Sequence, residues 1–355
     1  MIPRRVVLPA VVLVLALAGC AGRGGAPGED PAPVDSPTPP ATAEPQGDPL
    51  PTLPLACSDF FSDADATALL YRDVSLKVDQ DDTRNNTEAA QRQEGLLECI
   101  WGGDTSTDSS WDQTIVLTIL PDAATAFGEG VWQVDDGAIP YPDGSTTSEY
   151  LCPQVFDNFA WCNANVLVDG YWAQVRATTE NQSDPISRDE IEASIRSIVD
   201  RLTTVISSAG PARPQWTTSA HTLTGAICAG QPFFVDVPPY PLSAAQAAGE
   251  RSNAVGCSYS ENVSINVVPG GAWAVPAAQA AAGKDLRAYG LISTYASTPV
   301  PGADLALYGC GAGCQAMLSI GGSSVEIYDR ALHYDDGVTF LAELPAIVAD
   351  VIAAG

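Results

Sequence analysis

The first hydrophobic run of the chain lies at its N-terminus. Val6 to Ala18 is apolar without a break apart from Pro9, and it follows the positive pair Arg4 and Arg5. The run is too short to cross a bilayer as a mature helix, but it has the length of a signal-peptide core. The pattern therefore predicts a signal peptide over residues 1–19.

Small residues end this run directly before a cysteine. The sequence Leu17-Ala18-Gly19-Cys20 is the pattern that lipoprotein signal peptidase reads, and it predicts cleavage ahead of Cys20 and lipidation of that cysteine. A diacylglyceryl group has two acyl chains, which suffice for stable membrane attachment where one chain is marginal. The predicted location is the outer face of the cytoplasmic membrane. An ordinary secretory peptide with an unrelated cysteine is the other interpretation.

Residues 20–54 contain almost no hydrophobic side chains to bury. Ten prolines stand in the stretch from Ala21 to Pro54, together with glycine, alanine, threonine and acidic residues. This composition predicts a disordered, partly polyproline stalk. At about 3.1 Å per residue it reaches roughly 100 Å when extended, enough to carry a folded unit away from the membrane.

From residue 55 onward the pattern changes to short alternating runs and amphipathic stretches, and it occurs twice. The interval from Cys99 to Cys152 has the same length as the interval from Cys257 to Cys310. An aromatic residue stands two places after the first cysteine of each interval, on the same face of a strand. The repeated spacing predicts a tandem duplication, and two unrelated disulfide domains are the alternative.

The end of each copy carries the same local signals. Asp169-Gly170 and Gly321-Gly322 stand equally far after Cys162 and Cys314 and predict tight hairpins, because both central residues need positive φ. Ser187 and Thr339, which also follow those cysteines at equal distances, are predicted to cap a closing helix. The apolar residues spaced for one face of these helices are Ile191, Ile195, Ile198, Leu202 and Val205, and in the second copy Leu344, Ile347, Val348, Val351 and Ile352.

The fold class predicted from these elements is α+β, with two tandem disulfide-stapled modules, each an antiparallel sheet with helices on one side. The modules are placed at 55–207 and 220–355, with a linker at 208–219. Short opening helices are predicted at Ser62 to Leu70 and Ser243 to Glu250. The predicted strands and alanine-rich helices are Leu97 to Trp101, Thr114 to Leu120, Ala123 to Phe127, Ala254 to Tyr259, Val263 to Val268 and Val275 to Gly283.

Eight cysteines lie beyond Cys20, and an even set in an exported protein indicates disulfides. Pairing between neighbours in sequence is favoured, although four cysteines in a module allow three connectivities. The favoured pairs are Cys57–Cys99, Cys152–Cys162, Cys228–Cys257 and Cys310–Cys314. A redox dithiol is a second interpretation of the last pair, but its three intervening residues differ from the two of thioredoxin-like motifs.

The charge of the chain limits the kinds of partner that it can bind. Forty-three acidic and 16 basic residues give a net charge of −27, which repels nucleic acid and anionic lipid headgroups. No nucleic-acid partner is therefore expected. A solvated acidic coat that keeps an envelope protein soluble explains the charge without any ligand.

One stretch resembles a known group of proteins. Cys57-Ser58-Asp59-Phe60, followed by a short helix with paired aliphatics and by Cys99-Ile100-Trp101, is similar to a large family of actinobacterial envelope lipoproteins. The module also resembles the extracellular sensor domains of mycobacterial serine/threonine kinases, which are two-disulfide α+β units. The second module has Tyr259 where the tryptophan stands. The resemblance implies an envelope lipoprotein of unassigned activity, with no catalytic residues to transfer.

Candidate catalytic chemistry is sparse. The only histidines are His221 and His333, and the chain has no His-Glu-x-x-His pair, Gly-x-Ser-x-Gly elbow or phosphate loop. A serine triad through His333 is one interpretation of that residue, and a surface turn is the other. Asp79-Gln80-Asp81-Asp82-Thr83 lacks the glycine and the final acid of an EF-hand loop, so an exposed acidic loop is favoured over a calcium site.

Three tryptophans are candidates for an exposed aromatic surface that binds a partner or glycan. Trp111 follows a polar loop, Trp132 follows a Gly-Glu-Gly break and Trp172 stands beside the predicted hairpin. Core packing is nevertheless the favoured role for each of them.

The sequence favours a non-enzymatic binding module for a protein, glycan or small ligand, anchored to the membrane through Cys20. The alternatives are an envelope hydrolase that uses His221 or His333, and an acidic scaffold that binds cations weakly. We expect no catalytic residue, resident metal or cofactor.

Overall fold

A computed structural model describes most of the chain beyond the N-terminal segment. The described residues are 48–70, 73–79, 82–102, 114–130, 139–140, 148–156, 159–180, 188–218, 220–228, 243–282, 294–310, 313–330 and 337–355. All of them belong to one compact unit, Gln46–Gly355. Within these ranges no helix is both long and apolar enough to cross a membrane.

The first half of this unit contains a seven-stranded sheet and five helices among the described residues. The helices are α1 Cys57–Phe60, α2 Asp63–Leu70, α3 Asn86–Gln93, α4 Ala124–Gly130 and α5 Arg188–Ser207. The strands are β1 Ser75–Val78, β2 Leu97–Gly102, β3 Thr114–Leu120, β4 Ile139–Pro140, β5 Ser148–Phe156, β6 Phe159–Val168 and β7 Tyr171–Glu180.

The second half contains a six-stranded sheet, three α-helices and a 3₁₀ turn among the described residues. The turn is Ala226–Cys228, and the helices are α6 Ala244–Arg251, α7 Ala274–Ala281 and α8 Val338–Ala354. The strands are β8 Val255–Ser258, β9 Val263–Val268, β10 Ala296–Ser297, β11 Leu305–Cys310, β12 Cys314–Ile320 and β13 Ser323–Asp329.

The two sheets have the same strand order. The first runs β1-β2-β3-β7-β6-β5-β4, and the second runs β8-β9-β13-β12-β11-β10, so each strand from β2 to β7 has one counterpart. Every pair of neighbouring strands is antiparallel. The predicted α+β class with two antiparallel modules is confirmed, and only β1 lacks a counterpart among the described strands.

The predicted hairpins connect β6 to β7 and β12 to β13. Asp169, Gly170, Gly321 and Gly322 all have positive φ, between 49° and 85°. Two consecutive residues with positive φ form the turn whose twist matches the flanking strands, which is why these positions carry glycine or aspartate. The turn fixes the register of each hairpin and, with it, which side chains face the closing helix.

The closing helix α5 covers one face of the first sheet. Ile198, Val199, Leu202 and Ile206 are buried against alternate strand residues such as Leu117. Leu117 sits on β3, whose alternate side chains point to opposite faces. Every second side chain of the strands and every third or fourth side chain of the helix therefore pack together in one hydrophobic core.

The second closing helix, α8, packs in the same way but begins differently from the prediction. Its N-cap is Gly337, with φ 82°, and Thr339 lies inside the first turn. A Cβ atom at Gly337 would lie 2.5 Å from the sulfur of Cys310, so the nearby disulfide leaves room for glycine alone. Pro345 consequently lies past the first turn of the helix, and Ile352, predicted to be buried, is 41 % exposed.

Three of the favoured disulfides are present: Cys57–Cys99, Cys228–Cys257 and Cys310–Cys314. Cys310 and Cys314 are partners in the register of β11 and β12, so the bond closes a turn between paired strands. The side chains of Cys152 and Cys162 lie outside the described part of the chain, and their pairing stays a prediction.

Candidate functional site

The predicted aromatic surface does not include Trp172. Its side chain is 0 % exposed, it meets Phe127 edge to face with ring centroids 5.7 Å apart, and its indole Nε1 donates to Asn165 Oδ1 at 2.9 Å. A position beside a hairpin suggests exposure, but this face of the sheet is covered by helix α6 of the second module. Trp111 and Trp132 lie outside the described residues, so their role as a binding surface stays a prediction.

The structure describes one of the two histidines. His221 is exposed beside the Gly321-Gly322 turn, and His333 lies outside the described residues. The hydrolase alternative therefore stays a prediction. In the described ranges, no group of three or more His, Cys, Asp or Glu side chains is arranged to hold a metal ion. Part of the acidic loop after Asp79 lies outside these ranges.

Two short helices, α3 and α6, are exchanged between the modules. They begin at equal distances before a disulfide cysteine, since Asn86 precedes Cys99 by the same interval as Ala244 precedes Cys257. Helix α3 belongs to the first module but contacts β9 and β13 of the second sheet, whereas α6 contacts β3 and β7 of the first. The two helices also contact each other. Each module thus covers one sheet face of its neighbour.

The exchanged helices start in equivalent ways. Asn85 and Ser243 are their N-caps, and each side chain accepts from the backbone N–H three residues later. The first helical N–H of each then donates across the interface: Asn86 N–H to Glu326 Oε2 at 2.9 Å, and Ala244 N–H to Gln174 Oε1 at 3.3 Å.

Their C-terminal ends are also equivalent. Gln93 Nε2 donates to the carbonyl of Pro269 at 3.3 Å, and both terminal nitrogens of Arg251 donate to the carbonyl of Pro121 at 3.0 Å. Pro121 and Pro269 directly follow the counterpart strands β3 and β9. Hydrogen bonds at both ends of each helix fix its position on the neighbouring sheet.

Pairs of alanines allow the helices to lie close to the sheets. Ala89 and Ala90 of α3 are fully buried with Val268, while Ala247 and Ala248 of α6 are buried with Trp172. Alanine carries only a methyl group, so the helix backbone approaches its neighbours closely with little loss of side-chain entropy. The exchange therefore adds two small hydrophobic clusters between the modules, beside the separate core of each module.

The α3 end of the interface carries a cluster of charged side chains. The guanidinium of Arg84 pairs with Glu88 of α3 and, at 2.9 Å, with Glu98 of β2. These three side chains are between 8 % and 21 % exposed. Burial raises the pKa of Glu98 to about 7, the Glu88 carboxylate adds to the rise, and Arg84 opposes it. We name this group the carboxylate cluster. It consists of Glu88, Glu98, the Arg84 guanidinium between them and Glu326 of the second module.

Glu326 joins this cluster from the second module. Its two oxygens accept from Asn86 N–H and from Gln315 Nε2, the latter at 2.6 Å. Burial raises its pKa more than these donors lower it, and the charge of Glu88 adds to the rise. Tyr295 lies near the carboxylates of Glu326 and Glu88, and burial together with their charges raises the pKa of its hydroxyl.

Perturbed ionisable groups mark candidate functional sites. Here Arg84, Glu88 and Glu98 contact one another within the first module, and Glu326 bonds to the first residue of α3 across the modules. The cluster therefore places titratable groups beside the contact of α3 with the second sheet.

A second candidate site is an open depression of about 540 Å³ on the second module, between β10 and β11. Hydroxyl groups of Ser297 and Thr298 and the carboxylate of Asp304 line it beside the apolar Pro299 and Val300. Its volume falls within the range of small-ligand sites. The depression combines apolar surface with a few hydrogen-bonding groups.

Comparisons of the chain with protein-family models, curated proteins and solved structures found no match.

Proposed function

We propose that this protein is an extracytoplasmic lipoprotein that binds a ligand or partner without catalysing a reaction. Cys20, after a charged start, an apolar core and small residues, supports a lipid anchor on the outer face of the cytoplasmic membrane. Three disulfides support export, because such bonds persist in oxidising compartments. The proposed stalk is shorter than the predicted 20–54, because Pro49 and Pro51 are buried, Arg92 donates to the carbonyl of Pro49 and Leu53 belongs to the first hydrophobic core. The residues between Cys20 and Pro49 would carry the two modules away from the membrane.

Binding is favoured over catalysis because the buried ionisable groups take part in contacts that hold the protein together. Glu326, whose pKa is raised, accepts a hydrogen bond from Asn86 of the other module, and Glu98, whose pKa is also raised, pairs with Arg84 within the first module. Both groups are thus engaged in contacts that hold the fold together. The depression beside Asp304 is the described surface that we assign to a ligand. Its hydroxyl and carboxylate groups suit a neutral, hydroxyl-rich molecule such as a cell-wall glycan, since a net charge of −27 disfavours anions.

The anchor is tested by feeding a producing bacterium with labelled palmitate. The protein is expected to carry the label and to partition with the membrane, and Cys20→Ser is expected to abolish both. Label that persists in the Cys20→Ser variant, or an unlabelled but correctly exported protein, would contradict the anchor.

Binding is tested by titrating the full chain with neutral cell-wall oligosaccharides and following spectral shifts of residues 297–306. Asp304→Asn is expected to weaken binding about tenfold, the loss of one charge-assisted hydrogen bond of about 1.4 kcal/mol. Glu343→Gln is the matched control, since Glu343 is an exposed acid of α8 and the same charge is removed. Equal weakening by both variants would indicate a diffuse charge effect, and absence of any shift would exclude the depression as the glycan site.

A further inference from the structure

The contact of α3 with the second sheet can be compared with the contact of α6 with the first sheet, because the two are equivalent in the backbone. The same backbone N–H at the start of each exchanged helix meets a side-chain oxygen at counterpart positions of β13 and β7. That oxygen belongs to Glu326 at the α3 end and to Gln174 at the α6 end. An amide has no charge to lose or gain, whereas a carboxyl group titrates. The two ends therefore differ mainly in their ability to respond to pH.

Each element packed around Glu326 contributes a named group. Helix α3 contributes Asn86 and Glu88, strand β12 contributes Gln315, and strand β9 contributes Asn266. Among the residues that the structure describes, Tyr295, just before β10, is a further titratable neighbour. Arg84 lies beyond Glu88 and pairs with both Glu88 and Glu98. The charge of Asp82 also raises the pKa of Arg84.

The geometry at Gln315 is compatible with a proton on Glu326. The two side chains approach within 2.6 Å, a separation usual for O–H···O and short for N–H···O. The oxygen and nitrogen of a glutamine amide are assigned from the surrounding hydrogen bonds and are interchangeable by a flip. With the amide flipped, its carbonyl accepts from a protonated carboxyl, while the other carboxyl oxygen still accepts from Asn86 N–H.

We propose that Glu326 carries a proton and that this proton fastens α3 to the second sheet, which makes the contact between the modules pH-dependent at this end. When the proton leaves, a buried negative charge faces the carboxylate of Glu88, and removing α3 from the sheet rehydrates both. The N–H of Asn86 favours the charged form, but burial opposes it more strongly. The start of α6, where Ala244 N–H meets Gln174, has no charge to lose at this contact. The other end of α6 does carry a titratable contact, because Arg251 pairs with Glu94 and burial raises the pKa of that carboxyl.

The direction of the effect follows from linkage. Burial raises the pKa of Glu326 in the folded protein above its ordinary value of 4.5. The folded state then binds the proton more tightly than the detached state, so the stability of the contact is fully present below pH 4.5 and is lost as the pH rises through the folded value. Each pH unit in that window changes the equilibrium up to about tenfold.

Hydrogen exchange of the full chain between pH 5 and 8, corrected for intrinsic exchange, tests this inference. Protection of the N-terminal amides of α3 is expected to fall as the pH rises, by up to about tenfold per unit, while that of the N-terminal amides of α6, beside Gln174, stays constant. Glu326→Gln reproduces the residue of the other helix start and is expected to make the start of α3 as insensitive as the start of α6. Gln174→Glu is expected to make α6 sensitive in turn.

Three results would overturn the proposal. The first is an equal pH response of α3 and α6 in the unmodified chain. The second is an α3 response that survives Glu326→Gln, which would place the titrating group elsewhere, for example at Glu98. The third is an α6 helix that stays insensitive in the Gln174→Glu variant although the variant folds.

Discussion

The two exchanged helices occupy equivalent places, but different interactions hold them. Under α6 the first sheet presents large apolar side chains, with Trp172 and Phe127 against small alanines. Under α3 the second sheet presents smaller apolar groups, and a polar network around Asn86 and Glu326 supplies the rest. The same backbone arrangement is thus stabilised by the hydrophobic effect at one end and by hydrogen bonds and buried charge at the other.

Helices α3 and α6 therefore pack in equivalent places through contacts of different chemistry. The hydrophobic burial beneath α6 does not itself depend on pH, whereas our proposal makes the start of α3 depend on the protonation of Glu326. Variants that remove each type of contact separate the two contributions.

The largest effect is expected from Trp172→Ala. The substitution opens a cavity beneath α6 and leaves Asn165 Oδ1 without its indole donor, and we expect a loss of about 3–5 kcal/mol in the free energy of unfolding. Denaturant unfolding followed by circular dichroism measures it. Trp273→Ala is the matched variant at the α3 end, where the side chain is only partly buried, and should cost less. Equal losses would contradict the assignment of the hydrophobic end.

The disulfides provide the next comparison. Replacing both Cys57 and Cys99 by serine removes a cross-link across 42 residues, and replacing Cys310 and Cys314 removes one across four. The chain-entropy relation gives losses of about 4 and about 2 kcal/mol for these loop lengths. Thermal unfolding of the two double variants tests the ranking, and a greater loss at the short loop would show that local packing dominates.

Enlarging the alanine pairs should have an intermediate effect. Ala90→Leu and Ala248→Leu each insert a side chain into a fully buried helix–sheet contact, and we expect each to cost about 1–3 kcal/mol. Ala354→Leu, near the exposed end of α8, is the control and should change stability by less than about 0.5 kcal/mol. Tolerance of leucine at both buried positions would contradict the close approach of the exchanged helices.

The last variant, Glu98→Gln, is expected to change the dependence of stability on pH. Because the pKa of Glu98 is raised to about 7, its contribution to stability is present below pH 4.5 and lost as the pH rises to about 7. The variant should remove that part of the decline while keeping a hydrogen bond to Arg84. Chemical denaturation at pH 5, 6, 7 and 8 measures the slope, and an unchanged slope would mean that Glu98 does not titrate in this window.

Much of the fold was predictable because it follows from local chemistry. Strands β3 and β9 begin and end where the sequence pattern places them, since their apolar runs are bounded by turn residues. The hairpins follow from Asp-Gly and Gly-Gly. The start of α8 was not predictable, because Gly337 is selected by a disulfide that lies close only in the folded chain.

The helix exchange could not be predicted, because the sequence pattern gives a helix but not its partner. The pattern matches the opening helix at Asp63–Leu70 with α6, whereas the true counterpart of α6 is α3. A signal was available: the buried Ala89-Ala90 and Ala247-Ala248 pairs stand at the same interval before their respective cysteines. What no local pattern contains is the choice of sheet, since a helix on its own module and one on the neighbour bury the same face.

Trp172 was a candidate for a binding surface because it stands beside a hairpin, and its burial agrees with the favoured core role. Phe127 of α4 and the later helix α6 cover it together. The carboxylate cluster was also not predictable, because Glu98 and Glu326 belong to different modules and appear in the sequence as ordinary strand acids.

The central claim is that the exchange of α3 and α6 makes two modules into one cooperative unit. Native-state hydrogen exchange of β7 and β13 at increasing denaturant, in the unmodified chain and in the Trp172→Ala variant, tests it most directly. We expect both strands to exchange with the same free energy, and we expect the substitution in the first module to lower that energy equally in both. A loss confined to β7, with β13 unchanged, would show that the modules unfold independently and would contradict the claim.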